Sequence, residues 1–181
     1  MPSPRRDELV EAAYEYVLSN GLAGASLRPV AEAIGSSTGV LRFLFGSKDG
    51  LVTALLARAR QDELRLLDAI EPDATMAEVG AQTWQWLSDP AHRRLLILWT
   101  ECYAASLIDP DGPRADFGRQ TVQDWLAVLS RAQPGELRRT PAGRAERTAV
   151  LAMLRGAMLD LLATGDRART TRAVSTYLAA I

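Results

Sequence analysis

The apolar residues of this chain recur at spacings of three and four positions almost everywhere, and they seldom alternate with polar ones. A repeat near 3.6 residues is typical of an α-helix with one buried face, whereas a half-buried strand alternates at every second residue. Glycine, proline and capping residues divide the pattern into about nine segments. The sequence therefore predicts an all-α protein.

Four of these segments come before residue 72. They cover about 5–20, 26–35, 37–45 and 47–70. The stripe expected to face inward on the first helix consists of Leu9, Ala13, Tyr16 and Val17. Ser26 and Ser47 are placed as N-caps, because a serine oxygen can accept a free amide hydrogen of the first helical turn. Pro72 ends the fourth segment.

Five longer segments follow. They cover about 75–87, 88–108, a stretch from Phe117 to Leu129, 143–163 and 166–180. Thr75 and Glu78 have the spacing of a capping box at the start of the first of them. Proline and glycine mark a turn at 109–113 and a loop at 133–142, and Gly165 separates the last two helices.

The two short helices have the spacing of a helix-turn-helix. Ala31 lies four residues before Gly35, and Leu41 and Leu44 follow six and nine residues after it. A small residue allows two helices to cross closely, a glycine can adopt the positive φ of the turn, and apolar residues seat the second helix on the first. The expected core consists of Val30, Ile34, Leu41, Leu44 and Phe45.

If that core faces inward, the second short helix turns Thr38, Gly39, Arg42 and Phe43 outward. This is the face that a recognition helix presents to the major groove of DNA. Arg42 could reach the acceptors of guanine or a phosphate, and Phe43 could contact a thymine methyl group. The alternative is that Arg42 is a solvated charge and that Phe43 packs on a neighbouring helix.

Residues from about 5 to 56 resemble the N-terminal domain of the tetracycline-repressor (TetR) family of transcriptional regulators. The resemblance lies in the stretch 26–35 (SLRPVAEAIG), in Ser37, Gly39 and Leu41, and in the stretch 45–51 (FGSKDGL). A Phe-x-Ser-Lys-x-x-Leu block directly after a helix-turn-helix is fairly specific to that family. The rest of the chain matches it only in length and helical character.

The resemblance implies a DNA-binding surface made of Arg28, Ser37, Thr38, Gly39, Arg42, Phe43 and Lys48. Of these, Arg28 and Lys48 would contact phosphates on either side of the groove. The sequence departs from the family where Arg42 replaces a usual tyrosine and Leu44 a usual histidine or tyrosine. Arg42 therefore either reads a base or anchors a phosphate.

The resemblance also implies two domains: a three-helix DNA-binding domain over 1–46 and a helical ligand-binding and dimerisation bundle over 47–181. Large apolar residues with a few polar groups suit an apolar pocket between helices. The candidates for ligand binding are Trp84, Trp99, Cys102, Tyr103, Phe117, Trp125 and Met153. Ordinary core packing is the alternative for each of them.

The two C-terminal helices carry more apolar surface than two outer helices of one bundle need. A two-fold interface of four helices, two from each subunit, would bury it. The candidates for dimerisation are Leu151, Leu154, Met158, Leu161, Val174, Tyr177 and Leu178. Packing within one chain is the alternative.

Composition limits the remaining possibilities. The net charge is −1, so any nucleic-acid surface must arise from clustered cations, because the chain as a whole is not basic. One cysteine and one histidine exclude an intramolecular disulfide and leave almost nothing for zinc, and we expect neither a metal nor a cofactor. No signal peptide or membrane span is recognisable, so we expect a cytoplasmic protein without a membrane partner.

The sequence therefore predicts a ligand-responsive transcriptional repressor. It would bind a palindromic double-stranded DNA operator as a homodimer and be released by a small, largely apolar effector. A helical enzyme is disfavoured, because no nucleophile and base, metal cluster or phosphate loop is recognisable. The other alternative is a helical carrier or protein-interaction module that does not bind DNA.

Overall fold

The computed structural model of the protein describes residues 4–21, 26–68, 74–112 and 114–181. Within those ranges the chain forms nine α-helices and no β-strand, which confirms the all-α prediction. The helices are α1 (Pro4–Asn20), α2 (Leu27–Ala33), α3 (Thr38–Phe45), α4 (Lys48–Asp68), α5 (Met76–Leu87), α6 (Arg93–Ile108), α7 (Ala115–Arg131), α8 (Pro141–Thr164) and α9 (Arg167–Leu178). The predicted end of α4 at residues 70–72 lies outside the described residues.

Internal contacts divide the chain into two compact units. The first comprises Met1–Leu64 and Arg94–Arg119, and so holds α1 to α3, most of α4, α6 and the beginning of α7. The second comprises Arg65–Arg93 and Gln120–Ile181. The predicted domain boundary between residues 46 and 47 separates a DNA-binding region from the rest of the chain and does not coincide with a boundary of the compact units. It stays a prediction.

The first unit has an apolar core to which α1, α2, α3, α4 and α6 contribute. The five residues predicted to join the short helices take part in it. Val30, Leu41 and Phe45 are buried, and Ile34 and Leu44 pack against the same cluster while partly exposed. The helix-turn-helix therefore shares its core with α1 and α4.

The stripe predicted for α1 is correct at three of its four positions. Leu9, Ala13 and Val17 are buried, but Tyr16 is only half-buried and Tyr14 is buried instead. A tyrosine ring can enter a core when its hydroxyl finds a partner. The Tyr14 hydroxyl donates to Asp62 Oδ2 at 3.1 Å, across 48 positions of the chain. The periodicity of one helix cannot show such a partner.

Arg58 joins α1 to α4 through an ion-pair network that we call the Arg58 network (Glu11, Tyr14, Arg58 and Asp62). Nε and Nη2 of Arg58 donate to the Glu11 carboxylate at 2.6 and 2.8 Å, and Nη1 donates to Asp62 at 2.5 Å. The same guanidinium lies 4.8 Å from the centre of the Tyr14 ring. Because the Arg58 side chain is only 14% exposed, its charge depends on these partners rather than on water.

The ionisation of two members reflects this environment. Hydrogen bonds to Glu11 and Asp62 raise the pKa of Arg58 above its ordinary value despite partial burial. Burial raises the pKa of Tyr14, and the Asp62 carboxylate raises it further. Arg58 is therefore charged and Tyr14 is a neutral donor at neutral pH.

Gly35 makes the turn between α2 and α3. Its φ is +64°, a conformation that glycine adopts far more readily than other residues. The Ser36 N–H donates to the Ala31 carbonyl at 2.9 Å, and the Gly35 N–H donates to the Glu32 carbonyl at 3.4 Å. These two bonds form the Schellman pattern that ends a helix at a left-handed residue. The predicted role of Gly35 is confirmed.

The junction between α3 and α4 is tighter than the sequence suggested. Gly46 has φ +74° and ψ −60°, and the Ser47 N–H donates to the Phe45 carbonyl at 2.9 Å. This is a three-residue γ-turn of the strained kind, which favours glycine. A Cβ at Gly50 would lie 1.9 Å from the Phe45 carbonyl oxygen, so the first turn of α4 also requires glycine. Sequence reasoning assigned no role to Gly50.

The predicted caps are confirmed except at α2. Ser47 Oγ accepts the Gly50 N–H at 3.1 Å, and the Thr75–Glu78 capping box is complete. Hydrogen bonds from Thr75 hold the pKa of Glu78 below its ordinary value. Ser26 occupies the N-cap position of α2 with extended backbone, but its side chain makes no capping hydrogen bond.

Two predicted helix starts need correction. The segment predicted from Ser88 begins as a 3₁₀ turn over Pro90–His92, and α6 starts only at Arg93. The helix predicted from Gly143 begins at Pro141, because Thr140 Oγ1 caps it by accepting the Gly143 N–H at 3.0 Å. Proline fits the first turn of a helix, where its missing N–H has no acceptor to lose.

In the second unit, α5, α8 and α9 pack on one another. Val150 and Leu154 of α8 and Val174 of α9 are at most 1% exposed. A Cβ at Gly80 of α5 would lie 2.6 Å from Leu178 Cδ2, so the glycine permits a close approach of α5 and α9. This packing buries much of the apolar surface of α8 and α9 within one chain.

We expect Gly50→Ala to lower the free energy of unfolding by about 1–3 kcal/mol, because the added methyl group overlaps a backbone oxygen that cannot move alone. Urea denaturation followed by circular dichroism measures the change. Gly39→Ala is the matched control in α3, since its Cβ would meet only Ser37 Oγ at 3.7 Å. Equal stability of Gly50→Ala and the wild type would contradict the close approach.

Candidate nucleic-acid interface

Helix α3 has one buried face and one exposed face. Leu41 and Phe45 are 0% and 8% exposed, whereas Phe43 is 88% exposed. Arg42 and Gly39 are exposed as well. The alternative in which Phe43 packs on a neighbouring helix therefore does not hold within this chain. Of the four residues predicted to face outward, Gly39, Arg42 and Phe43 are exposed and Thr38 is half-buried.

The N-terminus of α3 is capped by its own serine. Ser37 Oγ accepts the Val40 N–H at 3.2 Å, and Ser37 lies exposed in front of the helix. Thr38, the first residue of α3, is half-buried. An amide capped in this way is already satisfied, so Ser37 would offer a partner such as phosphate its hydroxyl proton.

Arg42 and Lys48 are exposed, and no hydrogen bond or ion pair with another described residue holds either side chain. Arg28 differs, because its Nε donates to Glu32 Oε1 at 3.0 Å. The Arg28 and Glu32 side chains are 83% and 67% exposed. Pairs exposed to this degree contribute less than about 1 kcal/mol, so a phosphate can replace the Glu32 carboxylate at little cost.

Arg6 is a further cation that contacts α3, and the sequence did not single it out. Its guanidinium carbon lies 5.3 Å from the centre of the Phe45 ring. Such a cation–π contact holds a guanidinium in place without neutralising its charge. Arg6 lies in α1, and the sequence spacing between the two residues gave no signal of the contact.

The candidate ligand-binding residues fall into two groups, one in each compact unit. Trp99, Cys102, Tyr103 and Phe117 belong to the first unit, where Trp99 stacks on Tyr103 with ring centroids 5.2 Å apart. Phe117 meets Trp99 edge-on at 6.3 Å. The predicted stripe of Trp99, Cys102 and Tyr103 is thus part of an aromatic cluster that packs with the core.

Trp84, Trp125 and Met153 belong to the second unit. The Trp84 indole N–H donates to Thr171 Oγ1 at 3.0 Å, and Trp84 lines a groove of about 570 Å³ between α5 and α9. Met153 lines a smaller cavity of about 230 Å³ beside Gly156. The seven candidates therefore do not form one cluster within either unit.

Most candidate dimerisation residues are buried within their own chain. Leu151, Leu154, Met158, Val174 and Leu178 are at most 6% exposed. Leu161 and Tyr177 are half-buried and so keep surface that a second subunit could cover. Leu159, with 47% exposure, adds to this apolar surface of α8 and was not among the predicted residues.

The described residues hold no group of three or more histidine, cysteine or acidic side chains that could bind a metal ion. His92 instead stacks on Trp86, with ring centroids 4.1 Å apart. Among the described helices, none is long and apolar enough to cross a membrane.

Three known proteins are similar to this chain over most of its length. The HTH-type transcriptional regulator BetI of Paraburkholderia phytofirmans is 30% identical over 152 residues, which cover 78% of this chain and 76% of the relative. A member of the TetR family from Streptomyces coelicolor A3 has 25% identity and a TM-score of 0.73, covering 97% of this chain and 98% of its own. The multidrug binding protein EbrR, solved with imidazole, has 27% identity and a TM-score of 0.70, covering 98% and 93%.

The same EbrR protein has also been solved with proflavin. Further BetI proteins from other Paraburkholderia species match over a shorter stretch, which spans 54–56% of their length. No family model matches this chain.

A helix-turn-helix with an outward arginine and phenylalanine, in a chain that matches BetI over three quarters of its length, defines an HTH-type DNA-binding transcriptional regulator. The chain belongs to the TetR family of these regulators. The family resemblance of the sequence is thereby confirmed.

We expect the Cys102 thiol to resist alkylation in the folded protein. Cys102 is 0% exposed, and burial, reinforced by Glu101, raises its pKa to about 12. At pH 8 only roughly one thiol in ten thousand would be the reactive thiolate. Iodoacetamide labelling followed by mass spectrometry should be slow in the native protein and fast in urea. Complete labelling of the native protein within minutes would contradict this burial.

Proposed function

We propose that this regulator is a repressor that binds a palindromic operator as a homodimer and is released by a small, largely apolar effector. The observation that carries the proposal is the outward face of α3. Arg42 and Phe43 project there from a helix that Leu41 and Phe45 seat in the core. A helix seated in this way can enter the major groove without losing its own packing.

In the proposed complex, Lys48 and Arg28 hold phosphates on either side of the groove. Lys48 is the first residue of α4, and the N-terminus of a helix favours a phosphate through its free amides. Arg28 would exchange its Glu32 partner for a phosphate. Arg42 is placed either to reach guanine or to hold a third phosphate, and its lack of a described partner is compatible with both.

A near-neutral chain can bind DNA when its cations lie together. The net charge of −1 averages the whole sequence, whereas Arg42 and Lys48 are six residues apart on adjacent helices. Two subunits would double this local charge. The proposal therefore needs a dimer, whose two recognition helices meet half-sites about 34 Å or a multiple of it apart.

The surface proposed for the second subunit lies on α8 and α9. Because Leu151, Leu154, Met158, Val174 and Leu178 are already buried, they would support the interface from beneath. Leu159, Leu161 and Tyr177 would supply its apolar contacts. Gly156 is exposed, with no atom within 4 Å of the position of an added Cβ, and would admit a close helix.

The effector proposal draws support from EbrR, a multidrug binding protein whose structures hold imidazole or proflavin. Helix α4 runs from the first compact unit into the second. An effector bound among the larger helices would shift α4 and so change the separation of the recognition helices. Release requires that the effector bind the DNA-incompetent state more tightly. A compound that strengthens operator binding would contradict this direction.

Two further expectations complete the proposal. We propose that the chain has no enzymatic activity, since the relatives it matches are named as transcriptional regulators. We also propose that it acts in the cytoplasm, where the DNA of a bacterial regulator lies.

We expect Arg42→Ala/Lys48→Ala to abolish specific DNA binding, because it removes two of the cations that neutralise phosphates. The probe is a duplex selected by the wild-type protein from a random-sequence pool, and fluorescence anisotropy measures its affinity. Arg139→Ala/Arg144→Ala is the matched control, since it removes two exposed arginines of the second unit. Undiminished binding by the first variant would contradict the role of Arg42 and Lys48, whereas enrichment of no sequence by the wild-type protein would favour a module that does not bind DNA.

We expect the protein to be a dimer in solution and on DNA. Light scattering at micromolar concentration should give about twice the chain mass of 19.7 kDa. If each subunit neutralises three or four phosphates, the logarithm of the affinity should fall with the logarithm of salt concentration at a slope of about −5 to −7. A monomer mass, or a slope near zero at the selected site, would overturn the dimeric complex.

A further inference from the structure

Two apolar side chains lie next to each other on the outward face of α3. Phe43 is 88% exposed and Val40 is 40% exposed. Because they are three positions apart in one helix, they lie on neighbouring parts of its surface. Exposed apolar surface is costly in water, and a partner that covers it recovers this free energy. Val40 was not among the residues predicted to face DNA.

The groups around this pair indicate what would cover it. Arg42 lies between the two residues in sequence, and Lys48 follows on α4, both exposed. Lysine is depleted in protein–protein interfaces, whereas a surface with arginine and lysine suits the phosphates of DNA. In the major groove the one apolar group on a base edge is the C5 methyl of thymine, and every other group is a donor or an acceptor.

Gly39 provides a second, independent observation. It is exposed in the first turn of α3, and it costs helix stability relative to alanine. The protein itself does not require a glycine there, because its φ is not positive and an added Cβ would meet only Ser37 Oγ at an ordinary 3.7 Å. A glycine without an internal reason is typical of a place where the backbone closely approaches a ligand.

We propose that Val40 and Phe43 read the C5 methyl groups of thymines in each half-site of the operator. The inference rests on the proposed DNA-binding function and adds the base chemistry that α3 recognises. Val40 lies in the first turn of α3, the part of a recognition helix that contacts base edges, and Gly39 lets that turn come close. Phe43 lies one turn further along. Its ring has only two side-chain torsions to fix on binding, so ordering it costs little.

The inference is tested with deoxyuridine, which keeps the pairing edge of thymidine and lacks only the methyl group. The wild-type protein first selects a duplex from a random-sequence pool built with thymidine. Each thymine of the selected half-site is then replaced by uracil in turn, and affinity is measured by fluorescence anisotropy. We expect replacement at one or two positions to weaken binding about fourfold for each covered methyl group. Replacement in both half-sites together should weaken it roughly 15-fold.

Variants assign the effect to the two residues. Phe43→Ala and Val40→Ala should each bind the thymine and uracil duplexes equally at the position that the residue reads. Ile108→Ala is the matched control, because Ile108 is an 82% exposed apolar residue outside α3, and it should keep the full preference for thymine. Thermal unfolding of the variants should match the wild type, since neither removed side chain belongs to the core.

The outcomes separate this inference from the proposed function. If the wild type binds the uracil duplexes as tightly as the thymine duplex at every position, the methyl readout is wrong while operator binding stands. If Phe43→Ala and Val40→Ala keep the preference, the contact lies elsewhere and the inference is equally overturned. If no sequence is enriched from the thymidine pool, the DNA-binding proposal itself fails.

Discussion

The guanidinium of Arg58 holds α4 against α1, and the placement of the recognition helix depends on that contact. Helix α3 has only eight residues and could not be stable alone, so its position comes from the core beneath it. That core is shared by α1 and α4. Two hydrogen bonds from Arg58 to Glu11 and one from Tyr14 to Asp62 link these two helices, and the Arg58 side chain is only 14% exposed, so water offers its charge little substitute.

The positive charges of the helix-turn-helix region, unlike Arg58, are mostly exposed to solvent. Arg28, Arg42 and Lys48 lie in α2, in α3 and at the start of α4, whereas acidic groups balance the positive charge over the chain as a whole. Arg28 is held by Glu32, Arg6 lies over the Phe45 ring, and Arg42 and Lys48 extend into solvent. An interface of this kind derives its charge from local arrangement, which explains how a chain of net charge −1 can suit a phosphate backbone.

Local signals predicted much of the fold, and contacts distant in sequence account for what they missed. Gly35 and the Thr75–Glu78 box were recognisable because their chemistry is complete within six residues. Tyr14 was missed because its partner lies 48 positions away. At the candidate site, helical periodicity placed Arg42 and Phe43 on the outward face. It did not single out Val40, because periodicity alone does not mark an apolar residue as exposed. The apolar residues of α8 and α9 predict a surface for a second chain, which stays a prediction; most of them also pack within their own chain, and sequence cannot tell which apolar face α5 covers.

The γ-turn at Gly46 has a mechanical consequence. One residue in a strained conformation separates α3 from the Ser47 cap of α4, and the Phe45 carbonyl oxygen leaves no room beside Gly50 even for a methyl group. The two helices are therefore joined over a very short distance, without a loop between them. With 21 residues, α4 is about 30 Å long, and the recognition helix adjoins its N-terminal end. Within the first unit, a change in the direction of α4 would therefore also turn α3, because only Gly46 and Ser47 separate the two helices.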